Sequence, residues 1–143
     1  MKSKIKLIEI EHDKEGYHYF VTIEINGKKA NFLVDTGATH TVMDKTRSKA
    51  FVKNVTLVKN ESLSTGLGTS NMESHKIVLK SLMLGKAKFK KFEMVLMDLS
   101  HVNESYQSLG QDPLDGVLGN NILRKLNARI CLLEKGAHIK IEF

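Results

Sequence analysis

Asp35 is the residue of this chain whose setting most invites chemistry. It stands in Asp35-Thr36-Gly37-Ala38, directly after the apolar run Phe32-Leu33-Val34. A polar pair, Thr39-His40, follows, and Thr41-Val42-Met43 restarts an apolar stretch. One carboxylate can take or give one proton. Two in contact share a single proton, because like charges resist ionising together and their pKa values separate. Such a pair can take a proton from water with one oxygen and give one to a leaving group with another. The chain offers Asp-Thr/Ser-Gly only once. Taken alone the tripeptide is weak, since average residue usage supplies it in on the order of a few per cent of chains this long. It could equally be a turn, with Asp accepting backbone hydrogen bonds and Gly taking a positive φ. A second element downstream makes it informative: Asp115-Gly116-Val117-Leu118-Gly119, a glycine-bounded apolar pair running into Asn120-Asn121-Ile122-Leu123.

The elements that must position these residues read mostly as strands. Tyr17 to Ile25 is β-branched and aromatic with partial alternation. Asn26-Gly27 is a strong hairpin signal, and Lys29 to Val34 returns as a second strand that delivers Asp35 at its end. Val52 to Val58, Ile77 to Leu84, Phe89 to Met97 and Ile130 to Leu133 read as further strands, with a turn at Leu84-Gly85-Lys86. Ser62 to Asn71, which contains Gly66-Leu67-Gly68, has the small, polar composition of a loop or hairpin tip. His101 to Pro113 reads as a long polar loop. One helix is expected over Asn120 to Asn127, with an Asn cap and apolar Ile122, Leu123 and Leu126. Gly136 then turns the chain into a last alternating strand, His138 to Phe143.

Composition narrows the alternatives. At 143 residues, 41% hydrophobic and 27% charged, the chain suits one globular domain spanning 1–143, with no low-complexity or repeat segment. The six histidines (His12, His18, His40, His75, His101 and His138) lack metal-ligand spacing, and Cys131 is the only thiol, so neither a metal nor an intrachain disulfide is expected. No dinucleotide fingerprint, phosphate-binding loop or nucleophile elbow occurs, and no cofactor is expected. The net charge of +6 suits polyanions in principle. Its densest run, Lys86 to Lys91, is more simply a solvated strand face, so neither nucleic acid nor a membrane is expected as a partner. The basic opening Met1 to Leu7 lacks the apolar core of an export signal, and a cytoplasmic location is expected.

In their order and spacing the two motifs resemble the retropepsins and their single-domain relatives among the pepsin-like aspartic proteases. The resemblance runs from about Tyr19 to Ile141. It implies a mostly β, closed acid-protease barrel with a flap hairpin and one short C-terminal helix. It also implies an aspartic endopeptidase acting on a peptide or protein substrate. The partner carboxylate would be Asp35 of a second copy across a two-fold axis, making the working form a homodimer. Thr36 would hydrogen-bond across that dimer, and Gly37 would let the substrate backbone approach. Ala38, Thr39, His40 and Val42 would line the substrate site with Val117. Gly66, Leu67 and Gly68 would form the flap tip and close over the substrate. Val117, Leu118 and Gly119 would support the catalytic loop from beneath, and His138 to Phe143, with Ile5 to Ile10, would build the dimer sheet.

Asp115 matches the Asp-Gly that opens the support motif in relatives, where it is not catalytic, while Asp44 and Asp98 read as turn or surface residues. The retroviral members pair an Asp two positions after the motif glycine with an Arg after the downstream glycine. This chain has Thr39 and Asn120 there, so that dimer support is missing without leaving an orphaned charge. Two other readings stay open. The fold could serve as a catalytically inactive peptide-binding or dimerisation module. The protein could also be a basic barrel binding nucleic acid through Lys86 to Lys91, although Phe89 and Phe92 serve equally well as core.

Overall fold

The computed structural model describes residues 1–12, 16–53, 58–59 and 74–143. Strands β1 (Lys2–Lys6) and β2 (Ile8–His12) lead into β3 (Gly16–Ile25) and β4 (Lys28–Val34). The β3–β4 turn is the one foreseen: Asn26 and Gly27 have φ of 50° and 82°, the doubly positive pair that a tight hairpin turn requires. Next come β5 (Val42–Asp44), a 3₁₀ turn over Arg47–Ala50, β6 (Val58–Lys59), β7 (His75–Leu84) and β8 (Ala87–Met97). Helix α1 (Ser100–Ser108) precedes β9 (Gly116–Leu118), which runs into helix α2 (Asn120–Lys125). The chain ends in β10 (Arg129–Cys131) and β11 (His138–Glu142).

The larger sheet has the order β2-β3-β4-β9-β5-β8-β7-β6, and a further β3–β7 pairing closes its middle six strands into a barrel. Closure uses Glu24↔Met83 and Ile25↔Leu82. Asn26 extends it, donating its backbone N–H to the Ser81 carbonyl (2.9 Å) and accepting the Ser81 N–H at its side-chain oxygen (3.2 Å). Strand β9 is parallel to β4 and antiparallel to β5, so a distant piece of chain is inserted between the strands on either side of Asp35. Alternation puts Val21, Ile23, Phe32, Met43, Leu79 and Leu96 inside, all with no exposed surface. A smaller cluster around Phe20, Leu114 and Tyr106 fills the space under α1. There the Tyr106 hydroxyl lies 2.6 Å from His18 Nδ1, and burial raises the pKa of the phenol.

Three sequence expectations need correction. The span 101–113 is not one long loop, because its first half forms α1. This helix buries only Tyr106 and so shows no apolar stripe. Side-chain bonds anchor it instead: Asn103 donates to the Leu114 carbonyl (3.1 Å) and accepts the Leu114 N–H (2.8 Å). Asp98 Oδ1 accepts the Ser100 N–H at the helix start (2.9 Å), and this bond lowers the Asp98 pKa. Leu132 and Leu133, expected within a strand, lie beyond the end of β10 and are 55% and 57% exposed. Of the strand expected over Val52 to Val58, Val52 and Lys53 are outside any strand and Val58 belongs to β6, while residues 54–57 lie outside the described residues.

The chain ends form a second sheet, β1-β11-β10, with β11 in the centre. Its inner face packs on the barrel through Ile5, Ile130, Ile139 and Ile141. Among the described residues no helix is long and apolar enough to cross a membrane.

Candidate active site

Asp35 follows the last residue of β4, where its N–H donates to the Leu118 carbonyl (3.0 Å) of β9. The chain then turns back on itself. The Ala38 N–H donates to the Asp35 carbonyl (3.2 Å), and the Gly37 N–H donates to Asp35 Oδ1 (2.8 Å). A side chain at residue 37 would place its Cβ 3.1 Å from that oxygen, so glycine leaves the carboxylate room to fold over the amide. Asp35, Thr36 and Gly37 are all exposed, as are Thr39 and His40, while Ala38 is half-buried.

Beneath this loop the start of α2 acts as a brace. The Asn120 N–H donates to the Ala38 carbonyl (2.8 Å), the Asn121 N–H to the Thr39 carbonyl (3.2 Å), and Asn120 Nδ2 to the Thr36 carbonyl (2.5 Å). Asn121 Oδ1 accepts both the N–H and the hydroxyl of the buried Thr41 (2.8 and 2.7 Å). The Thr41 oxygen in turn accepts the Gly119 N–H (3.0 Å). Every residue of the Thr36 to Thr41 segment except Gly37 and His40 therefore has a bond to Gly119, Asn120 or Asn121. Asn120 occupies the position where the retroviral pattern has Arg, and here it ties the Asp35 loop to α2 within one chain.

The packing is equally tight. A Cβ at Gly119 would lie 2.7 Å from the His40 carbonyl carbon and oxygen and 2.9 Å from the Ala38 oxygen. One at Gly116 would lie 2.4 Å from the Val42 oxygen and 2.5 Å from the Phe32 ring. Gly116 is needed because β9 passes between β4 and β5 at contact distance, and Gly119 because the start of α2 meets the Ala38 and His40 backbone just as closely. Leu118 is fully buried, whereas Val42 and Val117 are half-buried and directly paired across β5 and β9. Gly66, Leu67 and Gly68, expected at the flap tip, lie outside the described residues.

Two other carboxylates are fully occupied with structure. Asp115 is buried: its Oδ1 accepts from Arg47 Nε (2.6 Å) and its Oδ2 from the Asn31 N–H (2.8 Å). Asp44, expected at a turn or surface, is 3% exposed. It accepts the Arg47 N–H (3.0 Å) at one oxygen and the Leu99 N–H (2.8 Å) at the other. The Asp44 turn cap was legible as a turn, but its burial depends on Leu99, 55 residues away. Among the described residues no group of three or more His, Cys, Asp or Glu could hold a metal ion.

A shallow groove opens beside Thr36, lined by Asn120, Leu123, Arg124, Ala128 and Ile130. It lies along α2 and β10, an edge strand of the terminal sheet.

A closed barrel with a strand threaded beside an Asp-Thr-Gly loop defines the retropepsin-like class of acid protease. The aspartyl protease family model matches residues 21–122, and the chain belongs to that family. The fold is shared with solved structures, two of which are as follows. A retropepsin-like aspartic protease from Rickettsia conorii aligns with a TM-score of 0.58 at 18% identity, covering 99% of this chain and 93% of that one. EIAV protease in complex with the inhibitor HBY-793 aligns with a TM-score of 0.58 at 20% identity, covering 86% of this chain and all of that one. No curated protein matches the chain by sequence.

Proposed function

We propose that the protein is a homodimeric aspartic endopeptidase in which Asp35 of each of two copies contributes one carboxylate to a shared dyad. The observation that carries this reading is the state of Asp35. It is an exposed carboxylate, pre-oriented by the Gly37 amide and mounted on a loop braced at almost every residue. The buried carboxylates Asp44 and Asp115 are committed to backbone amides and Arg47, so neither is free to complete a dyad. One chain thus supplies half of the catalytic pair, and a second copy supplies the other half.

In the dimer, one carboxylate of the pair is ionised and the other protonated, since two close negative charges resist forming together. The ionised Asp35 takes a proton from a water lying between them. The water oxygen attacks the peptide carbonyl while the protonated Asp35 gives its proton to the carbonyl oxygen. The diol intermediate collapses as the amide nitrogen gains a proton and the C–N bond breaks. The groove beside Thr36, with its apolar Leu123, Ala128 and Ile130, supplies the contact surface for the second copy. Residues Ala38, Thr39, His40, Val42 and Val117 are the candidates for contact with the substrate chain.

Thr39 and Asn120 favour a second reading, a dimerisation or peptide-binding module without activity, because the retroviral ion pair is missing. Cleavage of a diverse peptide mixture from acidic to neutral pH separates the two. The protease reading expects cleavage by the wild type and none by an Asp35→Asn variant that remains dimeric. A folded wild-type dimer that cuts nothing at any pH selects the module, and cleavage surviving Asp35→Asn overturns the mechanism.

A further inference from the structure

The terminal sheet has two unlike faces. Its inner face carries Ser3, Ile5, Ile130, Ile139 and Ile141, and Gly85 lies so close that a Cβ there would fall 2.5 Å from Ser3 Oγ. The outer face carries Lys2, Lys4 and Lys6 on β1, Lys140 and Glu142 on β11, and Arg129 on β10, all exposed. The register pairs Lys4 with Lys140 and Lys140 with Arg129, so three cations stand in one row across the sheet. Like charges directly opposite one another destabilise a sheet. Lysine on an edge strand is a common guard against strand-to-strand aggregation, which accounts for Lys4 on β1 and Arg129 on β10. It does not account for Lys140, which sits on the central strand. Among the described residues none of these three makes an ion pair. The Lys86 N–H donates to Ser3 Oγ (3.3 Å), which ties the β7–β8 turn to the inner face of β1 and leaves the outer face uncovered by it.

We propose that this face docks on an anionic phospholipid bilayer. Its cations form a two-dimensional array, roughly 4.8 Å apart across strands and about 7 Å apart along them. Lys2, Lys4, Arg129 and Lys140 rim an open concavity with Glu142, and a spread of cations in two directions suits a field of separate anionic headgroups better than a single polyanionic strand. Clusters of four to eight Lys and Arg are the ordinary requirement for attraction to phosphatidylserine. The face bears no aromatic ring except the imidazole of the buried His138, so it lacks the platforms on which single-stranded nucleic acid stacks. A second observation favours lipid: Leu132 and Leu133, 55% and 57% exposed, project from the β10–β11 connection at one end of the array. Such side chains can enter the headgroup–acyl boundary, as interfacial apolar residues do. The attachment is peripheral and reversible; it does not require proteolytic activity, but it does require that the outer face of this sheet stay open when the second copy docks along β10.

The test is co-sedimentation of the full chain with phosphatidylcholine vesicles and with mixed phosphatidylcholine–phosphatidylserine vesicles. Binding is expected only to the mixed vesicles and is expected to disappear at high salt. The triple variant Lys4→Gln, Arg129→Gln, Lys140→Gln should lose about a hundredfold in partitioning, from roughly fivefold per cation. Because it removes a like-charge row, its thermal midpoint should not fall, which distinguishes lost binding from lost folding. Leu132→Ser with Leu133→Ser should weaken vesicle binding further without changing the salt dependence. Equal binding to both vesicles, or binding untouched by the triple variant, overturns the proposal. So does affinity confined to nucleic acid, or a loss of dimer in either variant with no vesicle binding in the wild type.

Discussion

The two ends of the β4–β9 pair treat the same side chain in opposite ways. At one end Asp115 is buried, and both of its oxygens are taken by Arg47 and the Asn31 N–H. Four residues along β4, about 13 Å away at strand rise, Asp35 is exposed with only the Gly37 amide on one oxygen. A carboxylate whose two oxygens both accept from donors inside the protein cannot offer a free oxygen to a water or a substrate. One that is oriented but left open can. The comparison separates an aspartate committed to the architecture from one left available, without reference to motif. It also shows why the chain needs both: Asp115 fixes the start of β9, and β9 carries the carbonyl of Leu118 to the Asp35 N–H.

The largest effect should come from breaking the open end. Asp35→Asn keeps an acceptor for the Gly37 amide but loses the titratable group, so cleavage should fall about 10³-fold or more. Stability should move by no more than about 0.5 kcal/mol, as expected for an exposed position. Asp115→Ala should do the reverse. It strands the Asn31 amide and removes the partner of Arg47. Losing one member of a buried pair costs roughly 3–5 kcal/mol. Arg47 is 40% exposed and water can rescue it, so we expect about 2–4 kcal/mol here. Denaturant titration of both variants, alongside peptide cleavage, checks the contrast. Equal losses of stability would break it.

What the sequence disclosed was whatever is written in consecutive residues. Phe32 to Val34 leading to Asp35-Thr36-Gly37, the Asn26-Gly27 turn and the helix after Gly119 are each local patterns, and each stands where it was expected. The exception is the helix cap, which is Gly119 rather than an asparagine, because the Asn120 and Asn121 side chains bond Thr36 and Thr41 instead. Helix α1 was missed because its ties run through Asn103 and Tyr106 rather than through an apolar stripe of periodicity. The Arg47–Asp115 pair, 68 residues apart, and the Thr41–Asn121 bonds, 80 apart, are contacts that exist only once β9 is threaded between β4 and β5. No spacing rule announces them. One trace was available: Asp115 lies in an Asp-Gly whose glycine proves to be sterically required, which marks a crowded, buried position.

A smaller perturbation sharpens the link between the two ends. Gly119→Ala would drive a methyl into the backbone of His40 and Ala38, which cannot yield as a flexible side chain would. Overpacking of this kind costs about 1–3 kcal/mol. The displaced segment is continuous with Asp35, and misplacing a reacting group by an ångström can cost about 10²-fold in rate. Cleavage should therefore fall by roughly that factor under conditions where the variant is fully folded. A Gly119→Ala variant with normal activity would show that the α2 brace does not position the catalytic loop.

The smallest effect concerns a third aspartate, which falls between the two extremes. Asp98 is exposed, yet the Ser100 N–H at the start of α1 lowers its pKa below the usual 3.8. A carboxylate with a depressed folded-state pKa adds stability that is fully present above its unfolded value. That stability is lost as pH falls through the folded value. Its contribution should thus be constant at neutral pH and decline only below about pH 3.8. Solvent screens the group, so the effect should be confined to the acid limb of the stability curve. Acid titration of Asp98→Asn, followed by circular dichroism, should show a shallower loss of structure below that pH than wild type. An unchanged acid limb would mean that the bond to Ser100 orients the helix start without stabilising it. Asp98 would then join Asp35 as a carboxylate whose energy is not invested in the fold.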